Sequence, residues 1–158
     1  MPHSLRHRIQ QIEPFCIYGF STTITRSQSK NALICARFWQ RFNQTLTEKQ
    51  LTQGRNWQKY AITYHDGTNY RYFCGIPAAH PMPNSFETMP IQARNYLVFE
   101  HNGSTTGLSA TLSNIYRSFL PQSDYEHERS NFYHFEKYDR RFNWHDAKSL
   151  LEIWLPLK

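Results

Sequence analysis

Two acidic residues near the C-terminus stand among apolar and aromatic side chains, and that setting gives them chemistry. In "NFYHFEKYDRRF" (Asn131–Phe142), Glu136 has Phe132, Tyr133, Phe135, Tyr138 and Phe142 around it. In "LLEIWLPL", Glu152 lies among Leu150, Leu151, Ile153 and Trp154. Aromatic residues favour pleated, half-buried strands, and a carboxylate that leaves water without a partner is costly. Such an acid can hold a cation, with ring faces adding attraction of their own. Two such acids held together could instead do acid–base work, because their repulsion separates their pKa values. A third use is structural, each acid being hydrogen-bonded to Tyr, His or Arg.

Strand alternation puts His134, Glu136 and Tyr138 on one face, and Tyr133, Phe135 and Lys137 on the other. A hairpin centred on Trp144 would pair Glu136 with Glu152 and set His134 across from Trp154. A slip of one residue would send every side chain to the opposite face. The remaining histidines show no metal-ligand spacing: His3, His7, His80, His101, His127 and His145 read as surface residues, and His65 falls in a turn. Cys16, Cys35 and Cys74 form no CxxC pair and fit free thiols in a reducing compartment. There is no G-x-S-x-G elbow and no glycine-rich phosphate loop. No cofactor or metal is expected.

The elements that must position these residues follow from periodicity. Pro14–Thr25 is rich in aromatic and β-branched residues and predicts a strand. In Ser27–Leu46, Ile34, Phe38, Phe42 and Leu46 recur every four residues, which predicts a helix with Ser27 or Ser29 as N-cap. Phe38 and Phe42 then fall on the core stripe, while Trp39 lies off it and suits a groove rim. Trp57–Gly67 and Asn69–Ala79, which contains Phe73, predict a hairpin about the turn His65-Asp66-Gly67. After a Pro-rich stretch, Arg94–Gly103 predicts a strand and Thr105–Leu120 a helix stopped by Pro121. Two C-terminal strands follow, around the loop Asn143–Lys148.

The order strand–helix–strand–strand therefore occurs twice. A duplicated unit of this kind implies an α+β fold with a pseudo-twofold: one antiparallel sheet, two helices on one face and a groove between them. Grooves at such junctions commonly hold small molecules. At 158 residues the chain suits a single domain spanning 1–158. Its parts are a flexible tail (1–11), a first half (12–79), a Pro-rich crossover (80–90) and a second half (91–158). The aromatic share, 16%, exceeds what a small core needs, so some rings are available to line a cavity. Net charge is +6, but the basic residues are scattered and form no recognition helix, so direct DNA binding is not expected. No stretch approaches the ~20 apolar residues of a membrane span. With no signal peptide in view, the expected location is cytoplasmic.

"RNYLVFEHNG", "LSNIYRSFLPQSDYE", "FEKYDRRF" and "LEIWLPLK" resemble the GyrI-like, or bacterial effector-binding, domain. "YAITYHDG" and "YRYFCGIPA" carry a looser resemblance in the first half. That domain is the ligand-binding half of several AraC-type and MerR-type multidrug regulators and also occurs alone. The resemblance implies duplicated β-α-β-β units around a groove for aromatic, often cationic, compounds. It makes Glu136 the anionic anchor and Glu152 a second typical acid, with Tyr60 lining the pocket and Phe119 standing where the family often has Trp. Tyr64, Tyr138, Trp154, Phe38, Trp39 and Phe73 complete the expected ligand-binding set. No helix-turn-helix pattern precedes the first strand, so a stand-alone small-molecule sensor or sequestering protein is expected. Two alternatives come with the resemblance. One is a hydrolase of cyclopropane-bearing toxins using Glu136 or Glu152; the other is an interaction module whose protein partner is DNA gyrase or a regulator. The oligomeric state stays open.

Overall fold

The β-branched and aromatic runs pair into one eight-stranded antiparallel sheet in the order β1-β6-β8-β7-β3-β4-β2-β5. The computed structural model describes residues 5–51, 53–77, 82–144 and 146–158. The strands are β1 (His7–Ile12), β2 (Phe15–Ile24), β3 (Gln58–His65), β4 (Tyr70–Ile76), β5 (Glu87–Ile91), β6 (Arg94–Asn102), β7 (His134–Asp139) and β8 (Leu150–Pro156). Helix α1 (Gln28–Glu48) joins β2 to β3, and α2 (Leu108–Asn114) lies between β6 and β7. The strand order is symmetric about the central β7–β3 pair, with β8, β6 and β1 on one flank and β4, β2 and β5 on the other. This is the duplicated α+β arrangement expected from the sequence.

Two segments differ from expectation. Residues 7–11, expected in a flexible tail, belong to β1, which pairs with β6 from His7↔Phe99 to Ile12↔Arg94. The end of the Pro-rich crossover forms β5, which pairs with β2; residues 78–81 lie outside the described ones. Each half's leading strand therefore closes the edge of the other half. Short polar or Pro-containing segments do not alternate strongly enough to announce a strand, and pairing to a ready edge decides their conformation.

Helix α1 starts where Ser27 accepts a hydrogen bond from the Lys30 N–H, a regular N-cap. It buries Phe38, Trp39, Phe42 and Leu46 against the sheet. The second helix opens with a 3-10 turn (Thr105–Gly107), passes through α2 and continues as a π-helical turn (Ile115–Phe119) and a last α turn (Leu120–Gln122). The helix thus ends two residues later than predicted, running through Pro121. The wider turn ahead of it shifts the hydrogen-bond register that a proline cannot join.

Sheet alternation divides the core. Leu97, Phe99, Ala61, Cys74, Tyr138 and Ile153 pack under the helices. Ile17, Tyr60, Phe73, Tyr96, Phe135 and Trp154 form a second core on the other face. There the Phe15 ring of β2 lies 6.5 Å from the Phe135 ring of β7. Those strands are three places apart, so the sheet must curl around this face to bring the rings together.

Candidate functional site

A cavity of about 480 Å³ opens between the two helices and the sheet. Alternation on β7 aims His134, Glu136 and Tyr138 into it, as the sequence predicted. Neighbours on the flanking strands are Ala61 and Ile153. Ala61 has only a methyl group, so little covers the acid from that side. Helix α1 contributes Leu33, Cys35 and Trp39, and the second helix contributes Thr105, Leu108 and Leu112.

Glu136 is 2% exposed, and among the described residues no lysine or arginine forms an ion pair with it. Its Oε1 accepts hydrogen bonds from the hydroxyls of Tyr138 and Tyr72, the latter at 3.4 Å. Tyr72 in turn accepts from the Trp39 indole N–H at 2.8 Å. Burial, and behind it the charge of Glu136, holds the Tyr72 and Tyr138 phenols and the Cys35 and Cys74 thiols well above their ordinary pKa values. All four therefore keep their protons, and the two phenols remain donors. Hydroxyl donors offset part of the cost of burying a carboxylate, and among the described residues no lysine or arginine adds to them.

His134, 3% exposed, stands beside the acid with its Nε2 3.8 Å from Glu136 Oε2. Its Nδ1 lies 2.6 Å from the Tyr116 hydroxyl, which the π-helical turn directs at the sheet. Among the described residues Nε2 has no hydrogen-bond partner. A buried polar group left so costs about 1–3 kcal/mol. From Glu136 a ladder of rings climbs to the surface: Tyr138 to Phe142 at 4.8 Å, then Phe142 to Trp144 at 5.0 Å. Leu33 and Trp144, 57% and 38% exposed, form an apolar rim.

The family model of the GyrI-like small-molecule-binding domain matches residues 6–158. The chain belongs to this family. Among solved structures the GyrI-like chain shares its fold with SAV2435 bound to tetraphenylphosphonium, at 19% identity and a TM-score of 0.76, over 97% of this chain and 94% of that one. An integron cassette protein of Vibrio cholerae aligns at 15% identity and a TM-score of 0.69, over 96% and 95% of the two chains. The C-terminal domain of EcmrR aligns at 14% and 0.61, over 98% of each chain. At these identities the likeness is one of fold. No curated protein sequence matches.

Within this GyrI-like fold the expected site residues separate by face. Glu136, Tyr138 and Trp39 line the cavity. Trp39 sits in the wall at 4% exposure, bonded to Tyr72, and not at the rim where its position off the stripe had placed it. Phe38 belongs to the core beneath the helix, 5.4 Å from Phe20 and 6.4 Å from Tyr72. Phe119 packs on Phe99 and His7, away from the cavity. Tyr60, Tyr64, Phe73 and Trp154 all belong to the core on the opposite face.

Glu152 is on that opposite face as well. The observed register pairs Lys137 with Glu152 and Glu136 with Ile153, one residue displaced from the hairpin centred on Trp144. On the other side of Glu136, β3 sets Ala61 against it. Glu152 is instead bound by Arg8 at 2.9 Å, by Arg141 at 3.5 Å and by the Trp154 indole N–H at 3.1 Å. The two carboxylates do not meet, so joint acid–base work by this pair is ruled out.

Sequence reasoning missed Tyr72, Tyr116, Leu33 and Trp144 as parts of the cavity or its support. Tyr72 was within reach of alternation once β4 was aligned on β3; Tyr116 was not, because a π-helical turn carries no strong sequence signal. His101 and His127, expected on the surface, are structural. His101 is 5% exposed and bonds Thr111 and the Ser104 carbonyl, while His127 bonds the Tyr133 carbonyl at 2.6 Å. His3, His80 and His145 lie outside the described residues. Among the described residues no cluster of His, Cys, Asp and Glu could hold a metal ion, and no helix is long and apolar enough to cross a membrane.

Proposed function

We propose that this chain binds aromatic compounds that carry positive charge, with Glu136 as counter-ion, and acts as a sensor or sequestering protein for them. One observation carries the proposal: a carboxylate with no lysine or arginine partner among the described residues lies on the floor of a drug-sized cavity, ringed by Tyr72, Tyr138 and Trp39. A cation entering there gains the charge of the acid and the ring faces in a site shielded from water. The volume falls within the roughly 300–1,000 Å³ of small-molecule pockets. That SAV2435 has been solved with tetraphenylphosphonium, a bulky aromatic cation, supports the same chemistry in a protein of this fold. The free thiols of Cys16, Cys35 and Cys74 suit a reducing compartment.

Titration calorimetry with tetraphenylphosphonium tests the proposal. Glu136→Gln keeps shape and hydroxyl contacts but removes the charge, and is expected to weaken binding by about 1–3 kcal/mol. A neutral analogue, tetraphenylmethane made soluble by a short glycol chain, is expected to change little. Equal affinity of wild type and variant for the phosphonium would remove Glu136 as its counter-ion.

A further inference from the structure

The two oxygens of Glu136 are unlike. Oε1 accepts from both tyrosines, whereas Oε2 has no hydrogen bond among the described residues. Beside Oε2, at 3.8 Å, is the unpartnered Nε2 of His134. The protonation of that nitrogen follows from the far side of the ring. Burial holds the Tyr116 phenol well above its ordinary pKa, so the hydroxyl keeps its proton. The one acceptor shown for it is His134 Nδ1. When Tyr116 donates to Nδ1, the neutral imidazole carries its own proton on Nε2, next to the carboxylate. The site thus presents an acceptor and a donor side by side, both unused among the described residues. Two atoms 3.8 Å apart can each lie about 2.8 Å from one oxygen placed between them.

We infer that the cavity selects, among aromatic cations, those bearing a hydroxyl group that donates to Glu136 Oε2 and accepts from His134 Nε2. This rests on the proposed binding of cations and names the ligand class more closely. A cation without such a group meets the charge but leaves the imidazole N–H buried and unsatisfied. A hydroxyl satisfies both groups at once, and sites built to bond a hydroxyl discriminate strongly against analogues lacking it. Tyr116 is a positioning residue: it fixes which nitrogen of His134 holds the proton.

The test compares tetraphenylphosphonium with three hydroxylated cations of the same charge: its 4-hydroxyphenyl and 3-hydroxyphenyl derivatives and (2-hydroxyethyl)triphenylphosphonium. Affinities are measured by calorimetry on wild type, His134→Phe and Tyr116→Phe, each checked for native near-UV circular dichroism. At least one hydroxylated cation is expected to bind wild type about tenfold tighter than the parent. In His134→Phe that advantage is expected to fall below about twofold, the comparison being made between parent and hydroxylated cations on the same variant. Tyr116→Phe, which leaves the imidazole in place, is expected to shrink the advantage without removing it. The inference is overturned if none of the three gains on the parent, or if the gain survives in both variants. Loss of parent affinity in Glu136→Gln together with no hydroxyl gain in wild type sinks this inference alone. Unchanged parent affinity in Glu136→Gln sinks the cation proposal beneath it.

Discussion

Among the described residues Glu136 is held by hydroxyl groups and by no lysine or arginine, which makes its tyrosine neighbours part of its stability. Tyr138→Phe deletes a donor to Oε1, and hydrogen bonds to charged groups are worth about 1.5–3 kcal/mol. Chemical denaturation is expected to show a loss of that order. In a Glu136→Gln background the same change should cost clearly less, since the charge is gone; equal losses in both backgrounds would mean that the hydroxyl serves another partner. His127 offers a second check, through pH. Burial pushes its pKa below the ordinary 6.5, against the raising effect of its bond to the Tyr133 carbonyl. The unfolded chain therefore binds a proton more readily than the folded one between the two values. Stability attached to the neutral ring is present above about pH 6.5 and is lost as pH falls through that window. The melting temperature is expected to drop between pH 7.5 and 5.5. His127→Gln should lower it throughout but flatten the slope, and an unchanged slope would clear His127 of this role.

At the scale of elements, side-chain alternation was legible and strand register was not. The grouping of His134, Glu136 and Tyr138 needed only the period of a strand, and it held. The meeting of Glu136 with Glu152 needed the geometry of the loop between β7 and β8, which no local pattern supplies; one residue of displacement put the second acid, with Trp154, on the far face. Tyr60 and Tyr64, expected in the pocket, lie on that far face too. Helix α1 was legible because capping and periodicity agree on it, while the π-helical turn that positions Tyr116 carries no such signature. Gly19 is a place where an element depends on a missing side chain. It faces Gly75 across β2 and β4, and a Cβ there would stand 1.8 Å from the Cys74 carbonyl oxygen. Both atoms belong to paired backbone, so neither can step aside. Gly19→Ala is expected to destabilise the protein by on the order of 3 kcal/mol or more, visible as a large fall in denaturation midpoint. An alanine variant as stable as wild type would show that the two strands can part without cost.

Across the whole molecule, the sheet is a partition between two buried acids with different surroundings. On the helix side Glu136 faces a cavity with no lysine or arginine paired to it among the described residues, while on the other side Glu152 is saturated by Arg8, Arg141 and Trp154. Arg8 comes from β1 and Arg141 from the loop after β7, and the Arg8 guanidinium also lies 5.7 Å above the Trp154 ring. Glu152 therefore ties an edge strand to the second half of the chain. The duplicated sheet thus carries one acid facing a cavity and one spent on cohesion, which makes their roles separable. Glu152→Gln is expected to lower stability by about 1–2 kcal/mol; the figure is kept small because both guanidiniums remain in contact with water. Its affinity for tetraphenylphosphonium should stay near that of wild type, since the substitution lies across the sheet from the cavity. Glu136→Gln should show the reverse pattern, with affinity lost and stability held or raised as a buried charge is removed. Denaturation and calorimetry on the two single variants decide the matter. A Glu152→Gln protein that folds normally yet loses the cation would mean that the partition is not real.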